Sequence, residues 1–204
     1  EIELPEVGGP LVPNPWREIN TMTIAFGHGI AVTPLQVVNG ISTIANGGIR
    51  RPSTILRQDG APAGERVFSR ETSDLMRRLM RLVVTEGSGK NAEVAGYFLG
   101  GKTGTSEKLV NGRYVKNARM STFVAAFPMQ DPKYVVLVTL DEPKGTKKTY
   151  GFATAGWVSA PAVGKVVTRI APLLGIEPAN AKAPEIEQAL QIELRKGERK
   201  LASF

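Results

Sequence analysis

Two apolar runs dominate the middle of the chain, residues 120–127 (MSTFVAAF) and 133–140 (KYVVLVTL), joined through the turn residues Met129-Gln130-Asp131-Pro132. So short a connection allows only an antiparallel hairpin, because parallel neighbours need a crossover of a dozen residues or more. Neither run alternates cleanly between apolar and polar positions, so both faces of this hairpin have to be covered. The rest of the chain must therefore supply helices.

Two helices are well signalled ahead of the hairpin. Thr33-Pro34 reads as an N-cap followed by proline at the first helical position. Leu35, Val38, Ile41, Ile44 and Ala45 then recur at helical spacing until Asn46-Gly47-Gly48, predicting a helix over about 34–46. Ser69 caps a second, over about 70–85, with Leu75, Met76, Leu79, Leu82 and Val83 on one face. Its acids, Glu71 and Asp74, precede its bases, Arg77, Arg78 and Arg81, as the helix dipole favours. A third helix is expected over 157–174, closed by Gly175, with Pro161 in its first turn if it begins near Ser159. Residues 98–105 read as a strand and 107–119 as the connection from it to the next. The fold class is α+β, an antiparallel sheet covered by helices. Residues 1–176 form the domain, and 177–204, rich in alanine, proline and charge, form a tail.

With no cysteine, disulfides, thiolate catalysis and cysteine-bound zinc are excluded, and a single histidine, His28, excludes a multi-histidine metal site. No metal and no cofactor is implied. The net charge of +7 favours anionic partners, but the bases are scattered without interleaved aromatics, so nucleic acid is not expected. No apolar run approaches the roughly 18 residues of a membrane span. The opening Glu1-Ile2-Glu3-Leu4-Pro5 has neither the initiator Met nor the pattern of a signal peptide. The expectation is a piece of a longer protein whose membrane anchor lies elsewhere.

The chemistry concentrates at Gly100-Gly101-Lys102-Thr103-Gly104-Thr105. On a strand at a cleft rim, Thr103 and Thr105 share one side. Lys102 belongs to the other and needs a twist or a long reach to join them. Gly104 lets a ligand approach the backbone. The set suits a carboxylate, with backbone N–H groups to stabilise an oxyanion. Alone, the short motif is weak evidence, because a lysine at a strand edge is usually just solvated.

The flanks make it specific. Lys-Thr-Gly is the third motif of penicillin-binding proteins and class A β-lactamases. Phe26-Gly27-His28-Gly29-Ile30, then Thr33-Pro34-Leu35-Gln36, Ala45-Asn46-Gly47-Gly48, Arg51-Pro52 and Ser159-Ala160-Pro161 resemble elements of class B penicillin-binding proteins, the peptidoglycan D,D-transpeptidases. The resemblance covers about residues 1–175. The closing Val158-Ser159-Ala160-Pro161 is most similar to the cell-division branch, the FtsI type.

This resemblance implies acyl transfer in septal cell-wall synthesis, with a serine attacking the D-Ala-D-Ala end of a peptidoglycan stem peptide. β-Lactams are implied as inhibitors, divisome proteins as partners of the full-length form, and the periplasmic face of the bacterial inner membrane as the location. Lys102 would place positive charge near the substrate carboxylate and join proton transfer. Thr103 and Thr105 would hydrogen-bond that carboxylate, the Thr105 N–H would form half the oxyanion hole, and Tyr150 would border the cleft. The departure is that no serine here begins Ser-x-x-Lys or Ser-x-Asn. Both motifs are expected upstream of Glu1, and the piece alone is expected to be inactive. A serine β-lactamase or D,D-carboxypeptidase, and a non-catalytic scaffold of the same fold, stay open as alternatives.

Three other features are weighed. His28 reads as a packed or partly exposed ring. Gly87-Ser88-Gly89-Lys90-Asn91 lacks the spacing of a phosphate loop and reads as a loop beside the cleft. Lys144, Lys147 and Lys148 read as solvated, or as a basic rim for anionic peptidoglycan.

Overall fold

In the computed structural model, which describes residues 2–6, 8–110, 113–181 and 183–192, helices precede and follow a central sheet. The order is α1 (Glu18–Ile24), α2 (Pro34–Ala45), β1 (Ile49–Arg50), β2 (Glu65–Arg66), α3 (Arg70–Thr85), β3 (Gly100–Val110), β4 (Arg113–Phe127), β5 (Tyr134–Asp141), α4 (Ala155–Leu173) and α5 (Pro184–Leu190). The strands β3, β4 and β5 form one antiparallel sheet in that order, and β1 pairs with β2 in a two-residue ladder. The expected hairpin forms, in register from Phe127 opposite Tyr134 to Met120 opposite Asp141.

Alternation along β4 decides the layering. Phe123, Ala125 and Phe127 are fully buried against Ala160, Val163, Val167 and Ala171 of α4. Ala126 points the other way, toward Ala45 of α2, Met80 of α3 and Met129. Both faces of the sheet are covered, as the unbroken apolar runs require, and the class is α+β. Burying each phenylalanine contributes about 1.5–3 kcal/mol, an upper estimate.

The two leading helices stand where their caps place them. Thr33 and Gln36 exchange hydrogen bonds, N–H to Oε1 at 2.8 Å and N–H to Oγ1 at 3.3 Å, a capping box. Ser69 Oγ accepts from the Thr72 N–H at 3.1 Å. The buried face of α3 differs from the expected one: Ser73, Met80 and Val84 are buried, while Leu75 and Leu79 are exposed. Ser73 turns inward because its hydroxyl ties two helices together. It accepts from the Gly47 N–H at 3.1 Å and donates to the Ile44 carbonyl at the end of α2.

Two other expectations are corrected. Residues 107–119 are not a loop: β3 continues to Val110 and β4 begins at Arg113, making a long two-stranded ribbon with one irregularity between Glu107 and Leu109. Cross-strand backbone pairing runs along it from Gly100 opposite Ala126 to Val110 opposite Arg113. Lys108 ties it to the end of β5 through Asp141 at 2.9 Å and Glu142 at 3.0 Å. These carboxylates, Asp141 first, hold the Lys108 ammonium above the usual lysine range. The third helix starts at Ala155, not near Ser159, so Pro161 lies well inside it. Gly156, in its first turn, packs its backbone on the loop after α3: a Cβ there would sit 2.4 Å from the Ser88 carbonyl oxygen. The short α1 forms within a stretch of β-branched residues and buries none of its side chains.

Beyond α4, Ile186 of α5 is buried, the Ala189 carbonyl accepts from Arg78 Nε at 3.2 Å, and the Ala179 N–H donates to the Gly96 carbonyl at 2.9 Å. The charged residues 193–204 lie outside the described residues. No helix among the described residues is long and apolar enough to cross a membrane.

Candidate active site

Lys102, Thr103, Gly104 and Thr105 lie on β3, opposite Val124, Phe123, Thr122 and Ser121 of β4. Among the described residues β3 has no strand on its other side. Antiparallel residues turn their N–H and C=O together, alternately toward and away from the neighbour. Alternate residues of β3 therefore offer a donor and an acceptor to the open edge.

Cross-strand partners share a face, so Thr103 and Thr105 lie with Phe123 and Ser121 on the face that α4 covers. Each threonine hydroxyl has a partner there. Thr103 Oγ1 is 2.8 Å from Ser88 Oγ in the loop after α3. Thr105 Oγ1 accepts from the Ala155 N–H, the first of α4, at 3.0 Å. An N–H at a helix start has no partner within the helix, and β3 supplies one. This also explains the early start of α4, whose Thr154 makes no side-chain cap bond.

Lys102 stands on the opposite face, as alternation demands, and takes the long-reach solution. Its ammonium bends along the strand and donates to the Thr103 carbonyl at 2.9 Å. Lys102, Gly104 and Thr105 are exposed and Thr103 is half-buried.

The two glycines flanking Lys102 and Thr103 differ. A Cβ on Gly101 would lie 2.3 Å from the Val124 carbonyl oxygen and 2.9 Å from Phe123 Cζ. At Gly104 the nearest atom of the chain would be 4.0 Å away. Gly101 is required by the protein's own packing, whereas the space beside Gly104 is open.

Tyr150 is 78% exposed, in the left-handed conformation at φ 51°, with its ring edge-on to Trp157 at 5.7 Å. Phe152 stacks on the same indole at 5.4 Å. Trp157 lies in the first turn of α4, the helix whose first N–H Thr105 holds. The His28 ring lies 6.3 Å from Tyr114 on the ribbon, and among the described residues no bond of that ring joins it to this site.

Sequence reading missed several supporting residues. Asn91 Nδ2 donates to the Gly156 carbonyl at 2.8 Å. Ser121 Oγ donates to the Ala153 carbonyl at 2.7 Å, and Ser159 Oγ to the Ser121 carbonyl at 2.6 Å. Spacing gives no hint of these, since the partners are 32 to 65 positions apart.

Comparison with known proteins is consistent with this geometry. The family profile described as penicillin binding protein transpeptidase domain matches residues 1–164. The chain is 43% identical over 188 residues to the probable peptidoglycan D,D-transpeptidase FtsI of Caulobacter vibrioides, covering 87% of this chain and 32% of that protein. It is 38% identical over 172 residues to stage V sporulation protein D of Bacillus subtilis, covering 78% and 26%. The chain thus spans a third or less of these curated relatives. Among solved structures, the TP domain of Burkholderia pseudomallei penicillin-binding protein 3 superposes with a TM-score of 0.78 at 33% identity, covering 88% of this chain and 54% of that one. Penicillin-binding protein 3 of Mycobacterium tuberculosis complexed with ampicillin gives 0.77 at 25% identity, covering 94% and 46%.

Proposed function

The chain belongs to the penicillin binding protein transpeptidase family, and from that premise we propose that it forms one wall of the active site of a peptidoglycan D,D-transpeptidase. The observation that carries the reading is the edge strand itself. It combines a lysine, two same-face hydroxyls and an unobstructed glycine over four consecutive residues. A peptide ending in a carboxylate can lie along such an edge as an added strand.

In this reading Lys102 supplies positive charge near the carboxylate of a D-Ala-D-Ala stem and takes part in proton transfer. Thr103 and Thr105 donate hydrogen bonds to that carboxylate. Each can do so while its oxygen accepts a bond within the protein, because a hydroxyl has one proton and two lone pairs. Gly104 leaves room for the substrate backbone, and the Thr105 N–H contributes to the oxyanion hole. Tyr150 borders the cleft. The nucleophile comes from a Ser-x-x-Lys segment outside these residues, since none of the serines here has that pattern. It attacks the penultimate D-Ala carbonyl, D-Ala leaves, and an amine of a neighbouring strand takes the acyl group.

β-Lactams acylate the same serine. The likeness to the FtsI relatives supports a cell-division role, and the same reading gives the full-length protein divisome partners and a place at the periplasmic face of the inner membrane. In the domain plan, residues 1–176 complete the transpeptidase domain and 177–204 form its tail.

Labelling of the full-length protein with fluorescent penicillin tests this. Stable, saturable labelling that falls at least tenfold in Lys102→Ala is expected, given the usual contribution of a positioned proton-transfer group of about 10²–10⁴. Absence of labelling in the wild type would overturn the reading. Rapid loss of the label by hydrolysis would assign the protein to the β-lactamases instead.

A further inference from the structure

We propose that Ser121 and Ser159 are positioning residues for Thr105, acting through the start of α4. The proposal rests on the reading of Thr105 as a substrate-contacting residue.

Ser121 lies directly opposite Thr105 on β4. Ser121 and Ser159 are both completely buried. A buried hydroxyl is unfavourable unless bonded, and each of these donates its single proton to a carbonyl. Ser159 Oγ, on α4, donates to the Ser121 carbonyl at 2.6 Å. Ser121 Oγ donates to the Ala153 carbonyl at 2.7 Å. Two residues on, the Ala155 N–H donates to Thr105 Oγ1 at 3.0 Å.

These bonds close a circuit. β4 holds β3 by strand pairing, Ser121 holds the segment before α4, Ser159 holds the helix body against β4, and the helix start holds the Thr105 hydroxyl. With one lone pair of Thr105 Oγ1 fixed by an amide, the hydroxyl proton is left for the ligand side. The positive end of α4, a 19-residue helix, adds favourable potential for an anion at the same point. Without the serine bonds, residues 153–155 are free to shift. The threonine then loses the partner that orients it, although its own strand is untouched.

The test is a double-mutant cycle in the full-length protein, read by the acylation rate with fluorescent penicillin and by thermal melting of each variant. Thr105→Val removes the hydroxyl and keeps the shape. Ser121→Ala and Ser159→Ala remove one positioning hydroxyl each, so that if one fails to fold the other serves. Thr105→Val and Ser121→Ala are each expected to slow acylation, by about tenfold for the serine, since small misplacements in a site carry losses of this order. Adding Ser121→Ala or Ser159→Ala to Thr105→Val is expected to slow acylation little further, because both act through one hydroxyl. Wild-type rates in Ser121→Ala and Ser159→Ala, or equal losses with and without the Thr105 hydroxyl, would overturn the inference and leave the proposed function standing. A wild-type rate in Thr105→Val would instead overturn the reading of Thr105 on which it rests.

Discussion

Alanine at Gly104 and alanine at Gly101 are chemically the same change three positions apart on one strand, yet they should fail differently. At Gly101 the new methyl would stand 2.3 Å from the Val124 carbonyl oxygen and 2.9 Å from Phe123 Cζ, where ordinary contact begins at 3.4 Å. Relief requires β3 to move by about 1 Å, a displacement that by itself can cost about 100-fold in rate. Val124 is in the central strand and Phe123 is fully buried, so neither gives way cheaply. Overpacking of this kind costs about 1–3 kcal/mol. Gly101→Ala should therefore lose both stability and penicillin labelling. At Gly104 the nearest atom of the chain is 4.0 Å away, so Gly104→Ala should leave the denaturant midpoint within about 0.5 kcal/mol of wild type, as for an ordinary surface change. If a ligand lies along this edge, the methyl meets the ligand, and labelling should fall by about 100-fold. The assay is a labelling time course beside a urea titration on the same full-length preparations. Wild-type labelling by Gly104→Ala would refute the argument that the open space is a ligand's.

Two further changes test the supports of the fold. Ser73→Ala removes the hydroxyl that ties α3 to the end of α2 and leaves the part-buried Ile44 carbonyl without its donor, so stability should fall by about 0.5–1.5 kcal/mol while the folded protein keeps its labelling rate. The Lys108 ammonium is held above its ordinary pKa by Asp141 and Glu142. Its contribution should be complete below the unfolded value of about 10.4 and lost as the pH rises through the higher folded value. Lys108→Met should remove that alkaline component from urea midpoints measured across this range.

How much of this was legible in the sequence depends on how local each cause is. The caps at Thr33 and Ser69 and the short turn before Pro132 are local, and α2, α3 and the β4–β5 hairpin stand where they were expected. The ribbon was missed because reading by apolar runs cannot see a strand pair held by its backbone. The sequence did hold a signal, Asn111-Gly112 between Val110 and Arg113, a favoured two-residue hairpin dipeptide. The start of α4 was missed because its first N–H is satisfied by Thr105, 50 positions away. A helical stripe does not say which side meets the sheet, so Leu75 and Leu79 belong to the expected face of α3 and yet stand exposed. At the site, strand alternation alone sets the constraint on Lys102, whereas the Lys-Thr-Gly motif stands out through its resemblance to the family. The roles of Ser88, Ser121 and Ser159 were not, because serine is common and only the folded chain brings these three to their partners.

The most direct measurement is a crystal structure of the full-length protein acylated by a β-lactam. The ligand's carboxylate is expected within about 3 Å of the Thr103 and Thr105 hydroxyls, with its backbone running beside Gly104 along the free edge of β3. A ligand bound covalently elsewhere, with that edge touching only solvent, would contradict the account.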